Sequence, residues 1–315
     1  MVVEPVMVPS LRENLCELAA ELRRRLSPEA SLRHNEILAR HTTLRVGGPA
    51  DLYLEPNSES DLEVALKLCS ENKLPVFVLG RGSNLVVRDG GFRGLVISLA
   101  KAAFSRIEVS APILRCGAGA KLKAVAVEAK RNGITGLEFL EGIPGSVGGA
   151  LRMNAGAMGG AMFDVVQSIR VMDLRGCASE RKRGELEVKY RGCASFKSLV
   201  AVSAVLEGRA GVREEIERKM NEFSRKRWSS QPAAPSAGCM FKNPVTVPAG
   251  KLIEELGLKG TRVGGAVVSV EHGNFLINDG TATARDVLEL IELIRLRAHS
   301  ARGIDLETEV EIIGE

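Results

Sequence analysis

Hydrophobic spacing divides the chain into a mixed series of helices and strands. Leu11, Leu15, Leu18, Ala19, Leu22 and Leu26 recur at helical intervals until Ser27-Pro28, which predicts an amphipathic helix packed on the body. Ser58, with Asp61 three residues later in a capping-box arrangement, opens a second helix running to about Glu71. Strand-like runs follow at 75–79, 84–87, 95–99, 107–109 and 113–116, with a helix at about 121–131. Further strands at 165–172, 185–189 and 199–206 precede a strongly charged helix at about 212–227. Beyond it come a short helix at 251–256, a long one at 284–300 and a final strand at 305–313. The pattern is α+β, without the regular alternation of a βαβ chain. Charge and amphipathicity change near residue 210, where the main boundary is expected.

Length and composition bound the function. The 315 residues suffice for two domains, with 45% hydrophobic and 26% charged residues, ordinary for a globular chain. A net charge of +4 is spread along the sequence, and aromatic content of 4% is poor for stacking bases, so no nucleic-acid partner is expected. No apolar run approaches the roughly 20 residues that span a bilayer. Nothing at the N-terminus resembles an export signal. The six cysteines form no CxxC pair, which points to a reduced, cytoplasmic protein without a metal site. Oligomeric state is not legible, with a monomer favoured.

Glycine is the outlier, at 33 residues, and 16 of them fall between Gly80 and Gly160. They gather in 80–84 (GRGSN), 117–119 (GAG) and 142–149 (GIPGSVGG). Tight turns between strands need glycine too. Three clusters in succession, two with Ser or Asn donors, point further, to concave anion sites of consecutive N–H groups that suit a diphosphate. Leu85 occupies the last position of a would-be Rossmann fingerprint beginning at Gly80, and no GxxxxGK[ST] occurs. The diphosphate is therefore held by another architecture.

These segments carry a resemblance. Residues 41–50 (HTTLRVGGPA), 79–85 (LGRGSNL), 142–149 and 154–157 (NAGA) resemble the flavin-binding core of UDP-N-acetylenolpyruvoylglucosamine reductases. The match continues through Tyr190-Arg191, 235–244 (PSAGCMFKNP), 249–254 (AGKLIE) and 306–310 (LETEV), in the family's order from about residue 34 to 314. It implies an FAD-binding PCMH-type fold: an N-terminal helix (1–30), two α+β subdomains (31–98 and 99–210) and a smaller α+β substrate domain (211–315) whose final strand carries Glu309. The compact C-terminal region looks like the shorter of the family's two subtypes. Implied as well are non-covalent FAD, NADPH as co-substrate, and reduction of an enolpyruvyl UDP-sugar to UDP-N-acetylmuramate. Cofactor contacts would come from Gly47, Gly80, Arg81, Gly82, Ser83, Asn84, Leu85, Gly117, Ala118, Pro144, Gly145, Ser146, Gly148, Gly149 and Asn154. The rival readings are another FAD oxidoreductase of this fold and a non-redox nucleotide-sugar binder.

By the same resemblance Arg191, Glu309 and Cys239 carry the chemistry. Hydride delivered to the enolpyruvyl group leaves charge on the adjacent carbon, and a guanidinium suits the neighbouring carboxylate. Glu309 would orient that developing charge; Arg191 would keep it anionic, whereas a dry pocket would protonate it. Cys239 stands where the family's familiar form has a proton-donating serine. A thiol, with a reference pKa of about 8.5, is acidic enough for the task and carries a risk of oxidation. Arg227 and Asn243 are expected on the substrate diphosphate with Lys242 nearby, Tyr190 beside Arg191, and Asp279 as a further substrate-side acid.

Overall fold

The computed structural model describes residues 11–315; the reading of an absent export signal at 1–10 lies outside them. Seven α-helices cover the described chain: α1 (Leu11–Arg25), α2 (Glu59–Glu71), α3 (Leu122–Arg131), α4 (Val147–Met153), α5 (Arg213–Ser230), α6 (Ala249–Glu255) and α7 (Ala284–Arg302). None is long and apolar enough to cross a membrane.

The first sheet runs Ser31–Ile37, Pro49–Glu55, Phe92–Ser98, Val76–Leu79, antiparallel in its first pair and parallel thereafter. Leu95, Val96 and Ile97 are fully buried in succession, as a strand covered on both faces requires. Helices α1 and α2 cover one face, where Leu18, Leu22, Leu62 and Leu66 join Leu52, Leu54, Leu95 and Ile97 in one core. The anticipated capping box at α2 is only half formed. Ser58 Oγ accepts from Asp61 N at 3.1 Å, but Asp61 turns its carboxylate to Ser27 N (2.7 Å), Ser27 Oγ (2.8 Å) and Asn57 N (2.9 Å), tying the end of α1 to α2.

A second sheet, fully antiparallel, has the order Ala178–Lys182, Val166–Asp173, Leu199–Glu207, Ile113–Gly117, Ile107–Ser110. The strand expected at 185–189 is instead a 3₁₀ turn at Arg183–Glu185 followed by a small hairpin, Val188–Lys189 against Gly192–Cys193. Helix α5 also belongs to this part, because its two buried side chains, Ile216 and Met220, enter the same core as Leu137 and Val166. The packing boundary therefore falls after α5, near 231 and not near 210. Strong charge outside a thin apolar stripe is what sets α5 apart in the sequence, and that stripe is what ties it to the preceding core.

The third sheet, Ser236–Cys239, Phe275–Asn278, Ala266–Val268, Arg262–Val263, packs with α6 and α7 around a separate core that includes Phe241, Leu252, Leu276, Val287 and Ile294. The final strand is shorter than expected and does not include Glu309. Only Glu311–Ile313 is a strand, and it pairs in parallel with Leu85–Val87 of the N-terminal part. Leu306 and Val310 stay in the C-terminal core, so Glu309 lies on the crossing segment just before that strand.

Candidate active site

Residues 80–84 leave the C-terminal end of Val76–Leu79 as a tight loop. Gly82 has φ of 59°, and a Cβ there would sit 2.3 Å from His41 O and 2.6 Å from Thr42 Cα, so both conformation and space demand glycine. Thr43 holds the loop by donating to Gly82 O from N (3.1 Å) and Oγ1 (3.2 Å). Ser83 Oγ donates to Pro144 O at 2.8 Å, joining this loop to the second glycine cluster. That cluster runs straight into α4, capped by Ser146, and Gly148 N donates to Ala118 O at 2.7 Å, which brings in the third cluster.

Between these loops lies a cleft of about 590 Å³, lined by Gly80, Arg81, Ala118, Ser146, Gly148 and Gly149 among others. Among the described residues, none accepts a hydrogen bond from the main-chain N–H of Arg81, Gly82 or Ser83. Unpaired amides in a glycine loop suit a diphosphate, with Arg81 lining this cleft and Gly82 and Ser83 a cavity that adjoins it, so the residues fit a dinucleotide-type cofactor such as FAD. His41 also lines this cleft. Both its ring nitrogens are engaged, Nε2 with Glu36 Oε1 at 2.7 Å and Nδ1 with the Tyr53 hydroxyl at 3.1 Å.

A second cavity of about 250 Å³ adjoins the first, sharing Gly80, Arg81, Ser146, Gly149 and Arg152 with it. Here Arg191, Cys239, Glu309 and Arg227 come together. Arg191 occupies the turn of the small hairpin with φ of 55°, a conformation rare for a bulky residue and typical of strain kept at a functional site. Its Nε lies 2.9 Å from Glu309 Oε1. The two attract as charges, and the pair sets the guanidinium beside Cys239 on the cavity wall. Glu309 is held by its backbone, with N donating to Met240 O (2.8 Å) and O accepting from Asn84 Nδ2 (3.0 Å).

Burial sets the protonation of this cavity. It pushes the Glu309 carboxyl up, against the opposing charges of Arg191 and Lys242. The Cys239 thiol is pushed up to about 11, first by burial and then by the Glu309 carboxylate, against the pull of Arg191 and Arg227. The raised value works against the expected oxidation risk. A thiol with so little thiolate at neutral pH is a poor nucleophile towards oxidants. Arg227 is drawn down by burial and donates to Gly142 O.

Several anticipated contacts lie elsewhere. Gly47 (φ 127°) makes room for Val87, and Gly117 for Phe104 O; neither lines either of these two cavities. Asn154 caps α4, donating from Nδ2 to Lys189 O (3.3 Å) and accepting from Phe163 N (3.2 Å) at Oδ1, so it positions the Arg191 hairpin from outside both cavities. Tyr190 is 61% exposed, with the Arg191 guanidinium 5.0 Å from its ring centre. Lys242 pairs with Glu307, Asn243 Oδ1 accepts from Ala249 N (3.0 Å) at the start of α6, and Asp279 pairs with Arg262 and Thr281. Unforeseen in the cavity are Arg152, Glu311 and Gln231. Arg152 donates to Glu311 through Nε (3.1 Å) and Nη2, and to Phe196 O through Nη1 (2.7 Å). For Gln231 the spacing of four from Arg227 was a usable signal.

Comparison with known proteins agrees with the geometry. Residues 231–313 match the family model for the C-terminal domain of UDP-N-acetylenolpyruvoylglucosamine reductase, and residues 50–178 match that of an FAD binding domain. The chain is 41% identical over 286 residues to the UDP-N-acetylenolpyruvoylglucosamine reductase of Clostridium novyi (strain NT), covering 90% of this chain and 92% of the relative. It is 44% identical over 283 residues to that of Heliobacterium modesticaldum, covering 89% and 90%. The crystal structure of the Thermus caldophilus reductase superposes with a TM-score of 0.80 at 38% identity, over 90% of this chain and 100% of that one.

Proposed function

We propose that this chain, which belongs to the UDP-N-acetylenolpyruvoylglucosamine reductase family, reduces the enolpyruvyl ether of UDP-N-acetylglucosamine to the lactyl ether, yielding UDP-N-acetylmuramate for peptidoglycan precursors. The observation that carries this reading is the meeting of Arg191, Glu309 and Cys239 in one cavity beside the glycine loops. The free amides of Arg81, Gly82 and Ser83 would hold the FAD diphosphate, and the engaged nitrogens of His41 favour non-covalent binding. The flavin, when bound, supplies two-electron transfer from NADPH to the enolpyruvyl double bond. A cavity of about 250 Å³ is narrow for both partners together, which favours their use of it in turn.

The residues divide the remaining work. Arg191 presents its guanidinium to the enolpyruvyl carboxylate, where charge develops, and so stabilises the enolate-like species. Glu309 stays beside it as a carboxyl of raised pKa that orients the developing charge. Cys239 holds its proton at neutral pH and delivers it to the carbanionic carbon, a far stronger base than a thiolate. Purified protein should be yellow, bleach with NADPH and recover its colour with the enolpyruvyl sugar nucleotide. A protein that fails to bleach, or that recovers only with oxygen, would refute the assignment.

The raised thiol has its own test. Iodoacetamide should modify exposed Cys16 and Cys177 at pH 7 while sparing Cys239, whose labelling should keep accelerating as pH climbs towards about 11. Peptide mass spectrometry at graded pH reads the curve. A plateau near the ordinary thiol value of about 8.5 would mean that the cavity does not hold the proton as described.

A further inference from the structure

Arg191 and Glu309 belong to parts of the chain that share no core. Cys193 and Phe196, which follow Arg191, are buried with the first two sheets, whereas Leu306 and Val310, on either side of Glu309, are buried in the C-terminal core. Holding the two charges 2.9 Å apart therefore calls for a tie between the cores. Arg152, in the last turn of α4, supplies one. Its Nη1 donates to Phe196 O at 2.7 Å, just beyond the Arg191 hairpin, while its Nε (3.1 Å) and Nη2 donate to the two oxygens of Glu311, just beyond Glu309. Asn84 holds the same final segment to the glycine loop, donating from Nδ2 to Glu309 O (3.0 Å) and accepting at O from Glu311 N (3.1 Å). Among the described residues, however, Asn84 makes no hydrogen bond to the stretch that carries Arg191.

We propose that Arg152 is a positioning residue for the reduction of the enolpyruvyl group: by gripping Glu311 and Phe196 O at once, it sets Glu309 against Arg191. This role rests on the function proposed above. Both members of the Arg152–Glu311 pair are partly exposed, so the pair adds little to overall stability. Its worth is geometric. A guanidinium bound to both carboxylate oxygens fixes direction as well as distance, and a third donor in the same plane ties in the backbone at Phe196. Arg152 lines both cavities, but its charge is met by Glu311 and each of its nitrogens already donates to protein, which suits a brace and not a ligand contact. A brace of this kind acts on the step in which Arg191 and Glu309 work together, because small misplacements of reacting groups are costly there.

Stopped-flow measurement of the two half-reactions on the flavin-loaded enzyme tests the brace. Arg152→Met keeps a straight side chain and removes all three hydrogen bonds. It should slow the limiting rate of reoxidation by the enolpyruvyl nucleotide by about 10- to 10²-fold, with flavin content and reduction by NADPH near wild type. Arg152→Lys keeps the charge but lacks the planar fork, and should recover only part of the rate. Coupling to Arg191 gives the sharpest readout. In Arg191→Met the positioned pair is already gone, so adding Arg152→Met should slow reoxidation by no more than about 2-fold further. Losses that multiply across the two sites would overturn the proposal, because Arg152 would then act without Arg191. Equal slowing of both half-reactions would overturn it as a general loss of structure, and a raised Kd with an unchanged limiting rate would do so as a direct ligand contact. Loss of flavin on purification would assign Arg152 to the cofactor instead. Should Arg152→Met fail to fold, Glu311→Gln keeps the shape of the partner and removes its charge; it should slow reoxidation by about 3- to 10-fold, and an unchanged rate there overturns the proposal. Wild-type enzyme that is never reoxidised by the sugar nucleotide would bring down the proposed function itself, whereas an active wild type with an indifferent Arg152→Met removes this inference alone.

Discussion

Replacing Cys239 with alanine should leave reduction by NADPH near its normal rate and slow reoxidation by the enolpyruvyl nucleotide by about 10²- to 10⁴-fold, the range for removing a positioned proton donor. The reason lies in the cavity. Cys239 ends a strand after Gly238, whose φ of 76° lets the chain turn beside Arg191 and Glu309. Burial and the neighbouring carboxylate keep the thiol protonated, so the donor form is fully present at neutral pH. Alanine keeps the backbone and removes the thiol that carries the proton. Serine restores a proton at nearly the same place, so Cys239→Ser should retain most activity. Flavin absorbance separates the two half-reactions, and normal reoxidation in the alanine variant would exclude Cys239 as the donor.

Arg191→Met should reduce the same half-reaction by about 10²- to 10³-fold, as expected when a preorganised donor to developing charge is removed. Arg191→Lys should recover little, because an ammonium is a point charge without the planar fork that meets a carboxylate. The variant also makes a prediction about pH. Arg191 opposes the upward push of burial on Glu309, so its removal lets that carboxyl keep its proton to still higher pH. The acidic limb of the reoxidation profile should therefore move to higher pH in Arg191→Met. A profile that keeps its position while the rate falls would mean that Glu309 and Arg191 do not act as a pair.

The fold and its site were unequally legible. Helices α2 and α7 followed from periodicity, since an amphipathic helix is specified within a few turns. Helix α4 was hidden, because Gly148 and Gly149 are poor helix formers and their segment read as a turn. It is held by tertiary contact, with Gly148 N on Ala118 O. The partner of the last strand stayed open for a similar reason. Alternation in 305–313 is the same whichever sheet receives it, and the partner, Leu85–Val87, lies at the other end of the chain. Asn154, Asn243 and Asp279 have side chains fit for ligands, but each is engaged by local backbone or charge.

The sequence by itself determined the family, through the order of its motifs, and the glycine loops, because only glycine permits turns such as that at Gly82. It also supplied the three reacting side chains as residue types. Tertiary structure alone decided that Arg191 and Glu309 stand 2.9 Å apart beside Cys239 and that burial pushes the Cys239 thiol up to about 11. Glycine's freedom and helical periodicity are local properties, readable within a few residues. Desolvation and the apposition of charges are sums over distant segments, and they exist only once the chain has folded.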